Sequence, residues 1–183
     1  MDNGESSYRR FLAGDSEGLH EIICSYRAGL ILYLNSFVQN VHTSEELTED
    51  VFLELIIKRP KFSGKCSFKT WLYAIGRNLT AKHLRKNTKL NVVPLESQEF
   101  LADEEALESN LIRSEQKRMV HQALHRLKLE YRQVLYLIYF EEFSNQEAGV
   151  IMKKSARQIS DLLYHAKKAL KSELERSGFD YEE

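Results

Sequence analysis

The sequence predicts an all-α protein built as two small helical domains with an acidic connector between them. Three observations carry that prediction. Apolar residues recur at three- and four-residue steps along most of the chain, which is the spacing of one helix face. Only two prolines and eight glycines occur in 183 residues, so helices can run long and connections stay short. Charge is segregated behind a net value of −1. Residues 58–89 contain no Asp or Glu, and positive charge gathers again in 153–171. Glu96, Glu99, Asp103, Glu104, Glu105 and Glu108 stand together with no Lys or Arg among them. Separated blocks of opposite sign are the mark of a modular chain.

The same composition excludes several classes. No run of 18 apolar residues exists, so no membrane span and no direct membrane insertion are expected. The N-terminal MDNGESSYRR has no apolar signal core. Cys24 and Cys66 are lone thiols without metal-type spacing, which suits a reducing cytoplasm. No Ser/His/Asp set, metal cluster or phosphate loop is present, so neither an enzyme nor a bound cofactor is expected.

In chain order, residues 16–39 read as one long helix or two. Leu19, Ile22, Ile23, Tyr26, Leu30, Tyr33, Leu34 and Phe37 form the stripe, and Asp15 or Ser16 caps the start. Cys24 falls within this pattern as a small buried thiol. Thr43 and Glu46 have the spacing of a capping box. The helix they predict buries Leu47, Val51, Phe52, Leu55 and Ile56 and shows Glu45, Glu46, Glu49, Asp50 and Glu54. That acidic face is either ordinary solvation or a docking surface for a basic protein. Pro60 ends the helix, and a loop with Gly64 follows.

From Phe68 a third helix buries Phe68, Trp71, Leu72, Ile75 and Leu79, with Ser67 as its cap. Its other face carries Lys69, Arg77, Asn78, Lys82, Arg85 and Lys86. A helix that shows only positive charge has an anionic partner in view, and nucleic acid fits best. Residues 88–113 lose the stripe and read as an exposed flexible linker, with 99–111 able to hold a short helix.

Residues 114–128 resume helical spacing. His121 and His125 are four apart, but no third metal ligand accompanies them, so they read as surface or capping residues. A second helix spans 130–141, and its dense apolar run predicts burial on most sides. Ser144 with Glu147 and Ser155 with Gln158 then form two capping boxes around a short turn at Lys153 and Lys154. Small residues at 148 and 149 allow close helix approach. Two capped helices joined by such a turn make a helix-turn-helix. The second would present Arg157, Gln158, Ser160, Asp161, Tyr164 and His165 to a major groove. Lys167, Lys168 and Lys171 would reach phosphates.

Two stretches also carry a family resemblance. The loop followed by S-F-K-T-W-L-Y-A-I-G-R-N-L resembles the promoter-melting segment of bacterial extracytoplasmic-function (ECF) sigma factors of the sigma-70 family. L-E-Y-R-Q-V-L-Y-L-I-Y-F-E-E-F-S-N-Q-E-A-G-V-I-M with I-S-D-L-L-Y-H-A-K-K-A-L resembles their C-terminal domain. The likeness covers roughly residues 8–87 and 114–176. It implies a region 2-like bundle over 1–87, a linker over 88–113, a four-helix region 4-like domain over 114–176 and a tail over 177–183. It implies a dissociable subunit of bacterial core RNA polymerase. Glu46, Leu47, Glu49 and Asp50 would dock on the β′ clamp helices, and the β flap would be a second contact. Phe62, Ser63, Gly64, Lys65, Ser67, Lys69, Arg77, Asn78, Lys82, Arg85 and Lys86 would recognise and melt the −10 element of promoter DNA. The recognition-helix residues and Lys168 would read the −35 element. An anti-sigma factor is a further partner the resemblance implies. Ser160, Leu162 and His165 stand where the family often has basic residues, and Lys82 where it often has Asp. A stand-alone helix-turn-helix regulator is the alternative, and it would have no need of an aromatic melting loop.

Overall fold

The computed structural model describes residues 4–89 and 109–179, with side chains for 4–86 and 116–179. Every described regular element is helical: α1 (Glu5–Leu12), α2 (Ser16–Val38), α3 (Val41–Lys58), α4 (Phe68–Lys89), α5 (Ser109–Arg126), α6 (Leu129–Leu135), a π-turn (Tyr136–Phe140), α7 (Asn145–Met152) and α8 (Ala156–Arg176).

The first half closes around α2. Leu30, Tyr33 and Leu34 of α2, Val51 and Leu55 of α3, and Phe68, Leu72 and Tyr73 of α4 have no exposed surface. Helix α1 has no counterpart in the sequence reading. It adds Tyr8 and Phe11 to an aromatic cluster with Phe62, Phe68 and Trp71, where Tyr8 lies 5.4 Å from both Phe68 and Trp71. Tyr8 also donates a 2.8 Å hydrogen bond from its hydroxyl to the Pro60 carbonyl, which ties the loop before α4 to α1. An eight-residue helix with Tyr8 and Phe11 as its buried anchors is too short for periodicity alone to reveal.

Cap chemistry explains most boundaries and corrects one. Asp15 caps α2 through the Glu17 N–H, as expected. Helix α3 starts before the expected box, because Asn40 accepts a 2.9 Å hydrogen bond from the Thr43 N–H. Asn outranks Thr as a cap, and Thr43 then falls inside the first turn. Cys24 is exposed rather than buried. Ser67 accepts from the Thr70 N–H at 3.2 Å and opens α4.

In the second half both capping boxes form, each with reciprocal hydrogen bonds. Gly149 sits where the helix-turn-helix folds back on itself. A Cβ there would lie 2.6 Å from the Lys154 carbonyl oxygen, so only glycine lets the turn close. The helix expected over 130–141 instead ends at Leu135 and continues as the π-turn. That extra residue per turn rotates Tyr139 and Phe140 out of the core, and both are about half exposed. Helices α4 and α5 reach into both ends of the expected linker, and residues 90–108 lie outside the described residues.

The two halves share one contiguous core. Tyr73 of α4 meets Phe143 edge to face at 5.1 Å between ring centroids. The Gln39 side chain donates a 2.9 Å hydrogen bond to the His125 carbonyl.

Candidate nucleic-acid interface

The basic face predicted on α4 divides in two. Lys82, Arg85 and Lys86, on the C-terminal turns, are exposed. Asn78 is exposed beside a half-buried Arg77, whose Nε has no hydrogen-bond partner among the described residues. Ser63, Gly64 and Lys65 of the loop are exposed, and Gly64 takes a positive φ of 69° that favours glycine. Phe62 turns inward and packs on Trp71 at 5.3 Å, so it supports the loop from beneath.

The N-terminal turn of α4 is engaged elsewhere. Lys69 makes a 3.0 Å ion pair with Glu141 and donates to the Glu141 carbonyl at 2.8 Å. Its ammonium also lies 4.7 Å from the Phe143 ring centroid. Ser67 and Thr70 each donate a 3.2 Å hydrogen bond to Glu147. Burial pushes the Glu147 carboxyl up, but hydrogen bonds from Ser144, Ser67 and Thr70 outweigh it and hold the group below the usual carboxylate range. Ser67 and Lys69, nominated for DNA, therefore face the second half of the chain in this arrangement. No spacing rule could have shown that, because the partners are about 70–80 positions away.

Helix α8 presents its nominated residues together. Arg157, Gln158, Ser160, Asp161, Tyr164, His165 and Lys168 are all exposed. Gln158 has its amide oxygen committed to the Ser155 N–H at 2.8 Å, which leaves its NH2 group to face outward. Tyr164 is 64% exposed and meets His165 edge to face. With Lys167, Lys168 and Lys171 it lines a shallow cationic groove. Apolar, donor and acceptor groups on one helix face, flanked by ammonium groups, can read base edges and hold phosphates.

On α3, Glu46, Glu49 and Asp50 are exposed, and Glu46 lies 3.4 Å from His42. Leu47, nominated with them, is 3% exposed. It sits on the stripe with Val51 and Leu55 and is part of the core, so it offers a partner no surface. Ile56, expected in the core, is partly exposed, as is Leu53, and Ile57 is 74% exposed. Leu53 and Ile57 were missed as surface candidates; the signal was two apolar residues off the stripe. With Ile23, Arg27, Glu49 and Phe52, Leu53 and Ile56 line a shallow groove. Among the described residues no group of three His, Cys, Asp or Glu is placed to hold a metal ion.

The sigma-70 region 2 family pattern matches residues 22–90, and the sigma-70 region 4 pattern matches residues 117–170. The chain belongs to the sigma-70 family, in its ECF group. It is 24% identical over 170 residues to the ECF RNA polymerase sigma factor SigW of Bacillus subtilis, spanning 88% of this chain and 91% of that protein. It is 23% identical to the RNA polymerase sigma-H factor of Pseudomonas aeruginosa, over 96% of this chain and 95% of that one. Two solved structures share the fold. CnrH, in complex with the cytosolic domain of CnrY, superposes with a TM-score of 0.69 at 18% identity, covering 96% of this chain and 99% of that chain. The sigma factor RpoE of Bartonella quintana, in complex with the anti-sigma factor NepR, superposes with a TM-score of 0.71 at 20% identity, covering 85% and 96%. Region 2 thus takes in most of α2 and all of α3 and α4, and region 4 takes in most of α5 to α8.

Proposed function

We propose that this ECF sigma factor acts as a dissociable subunit of bacterial RNA polymerase that recognises and opens promoters. The observation that carries this reading is the presence of both sigma-70 regions, in order, on one chain. A duplex-only regulator would need region 4 alone. Residues 1–87 would form the unit that binds core enzyme and melts the −10 element, and 114–176 the unit that reads the −35 element. Residues 88–113 would join them, and 177–183 would be a tail. Glu46, Glu49 and Asp50 would meet the β′ clamp helices. The loop residues Ser63, Gly64 and Lys65, with Asn78, Lys82, Arg85 and Lys86, would meet the −10 DNA. The exposed face of α8 would meet the −35 DNA. The chemistry of RNA synthesis would belong to the polymerase, and the place of action would be the cytoplasm. No described helix is long and apolar enough to cross a membrane. Because the solved RpoE structure that shares this fold was captured with the anti-sigma factor NepR, an anti-sigma factor is the partner proposed here as well.

Transcription with purified core polymerase tests this directly. Promoter-specific transcripts should appear only when the chain is added. Duplex binding without any core-dependent opening would overturn the reading in favour of a stand-alone regulator.

A further inference from the structure

We propose that α1 positions the loop that meets the −10 DNA, with Tyr8 as the positioning residue that fixes where Ser63, Gly64 and Lys65 stand. The inference rests on the reading of that loop given above and adds an element outside it. Helix α1 precedes the residues 22–90 that the region 2 pattern matches. Residues 59–67 connect α3 to α4. Among the described residues no backbone–backbone hydrogen bond holds 60–66. The hydrogen bond that does reach this stretch is the 2.8 Å bond from the Tyr8 hydroxyl to the Pro60 carbonyl. Pro60 has no N–H with which to brace the turn itself. Arg59, just before it, leaves α3 at a positive φ of 44°, which a residue with a side chain adopts at a cost. Its guanidinium lies 5.2 Å from the Phe11 ring centroid, so α1 grips both residues of the exit turn.

The grip carries to the loop through shared rings. Phe62 packs on Phe68 at 5.7 Å and on Trp71 at 5.3 Å between ring centroids. Tyr8 packs on the same two rings, at 5.4 Å from each. Tyr8 is 1% exposed, so ring and hydroxyl are held together. Just beyond Phe62 the chain opens to solvent, and a Cβ on Gly64 would meet nothing within 4 Å. A loop without backbone hydrogen bonds samples many conformations unless its base is fixed. Fixing the base in the free chain removes that ordering cost from the step in which a nucleotide leaves the stack and enters the loop. The Tyr8 hydroxyl thus acts on promoter opening from within the core.

The test uses the full chain with core polymerase on duplex promoters. Tyr8→Phe keeps the ring and removes the hydroxyl. Open complexes seen by permanganate footprinting should fall about fivefold, the scale of one net hydrogen bond. Recovery of core polymerase and binding to a −35 duplex should stay at wild-type levels. Trp71 is the single tryptophan of the chain, and its fluorescence should become easier to quench with acrylamide as Phe62 loosens. Ser7→Ala is the control, because it removes a 2.6 Å hydrogen bond from α1 to Glu21 of α2 and leaves the Pro60 bond in place. It should lower the melting temperature and leave opening unchanged. Phe11→Leu, which releases the Arg59 guanidinium, should reduce opening as Tyr8→Phe does, and it decides alone if Tyr8→Phe loses helix content. Wild-type opening by Tyr8→Phe would overturn the proposal. So would an equal loss in Ser7→Ala, which would make α1 a stabilising element only. Failure of core-dependent opening by the wild type would overturn the sigma reading instead, and Trp71 quenching in the free chain would still decide whether Tyr8 holds the loop.

Discussion

The Tyr73 hydroxyl donates a 2.6 Å hydrogen bond to the Glu141 carboxylate across 68 positions of sequence. Tyr33, whose ring lies 5.4 Å from that of Tyr73, has an equally buried hydroxyl with no partner among the described residues. The pair predicts opposite outcomes for one chemical change. Tyr73→Phe should cost about 1.5–3 kcal/mol, since it removes a hydrogen bond to a charged group. Tyr33→Phe should be neutral or stabilising, since it removes an unsatisfied polar atom. Urea unfolding of the two variants checks both signs.

The capping boxes of the helix-turn-helix should be worth about 1 kcal/mol each. Ser155→Ala and Ser144→Ala should lower the melting temperature. Ser144→Ala should do more, because the Ser144 hydroxyl also donates at 2.8 Å to the Glu147 carboxylate that Ser67 and Thr70 share. Thermal unfolding followed by circular dichroism measures the difference.

Reversal of charge on α3 addresses the polymerase contact. Glu46 and Asp50 are exposed, so Glu46→Lys with Asp50→Lys should leave helix content intact. The double variant should no longer co-purify with core polymerase. Wild-type recovery would remove the acidic face from the docking surface.

Asn78 is an exposed amide on α4, and it can both give and accept hydrogen bonds to a base edge. Asn78→Ala should keep stability and core binding yet reduce promoter opening seen by permanganate footprinting. A promoter with a pre-melted bubble should recover only part of the loss. Full opening by the variant would place Asn78 outside the site.

Burial pushes the His121 and His125 imidazoles below the ordinary value of 6.5, and for His125 the Arg132 charge adds to the effect. Both therefore take up protons less readily in the folded chain than in the unfolded chain, which takes them up from about pH 6.5 downward. Their contribution to stability is complete above that value and is lost as pH falls through the depressed folded values. Melting temperatures measured from pH 7.5 to 5 should fall for the wild type and fall less for His121→Gln with His125→Gln.

Local chemistry was legible in the sequence wherever neighbours in the chain decide the outcome. Ser144 with Glu147 and Ser155 with Gln158 close their boxes because both partners sit within one turn. The stripe Phe68, Leu72 and Ile75 turns inward as its spacing requires. The all-helical class, the helix-turn-helix and the exposed face of α8 follow from such short-range rules. Leu47 and Ile56 show where these rules stop. Both belong to the apolar set of α3, but only the packing against α2 and α4 determines that Leu47 is covered and Ile56 is left partly bare.

The sequence by itself therefore determined most of the helices, the caps of α2, α4, α7 and α8, the main buried stripes and the separation of acidic from basic segments. It could not say what each polar face meets, because helical periodicity records that a face is covered or open and not by what. Lys69 and Ser67 read as groups waiting for DNA. Tertiary packing gave them Glu141 and Glu147 instead, since only the placement of α7 and the π-turn on α4 brings residues about 70–80 positions apart within hydrogen-bond distance. That contact exists because Gly29, Tyr73 and Lys69, each on its own ordinary helix position, converge on one carboxylate.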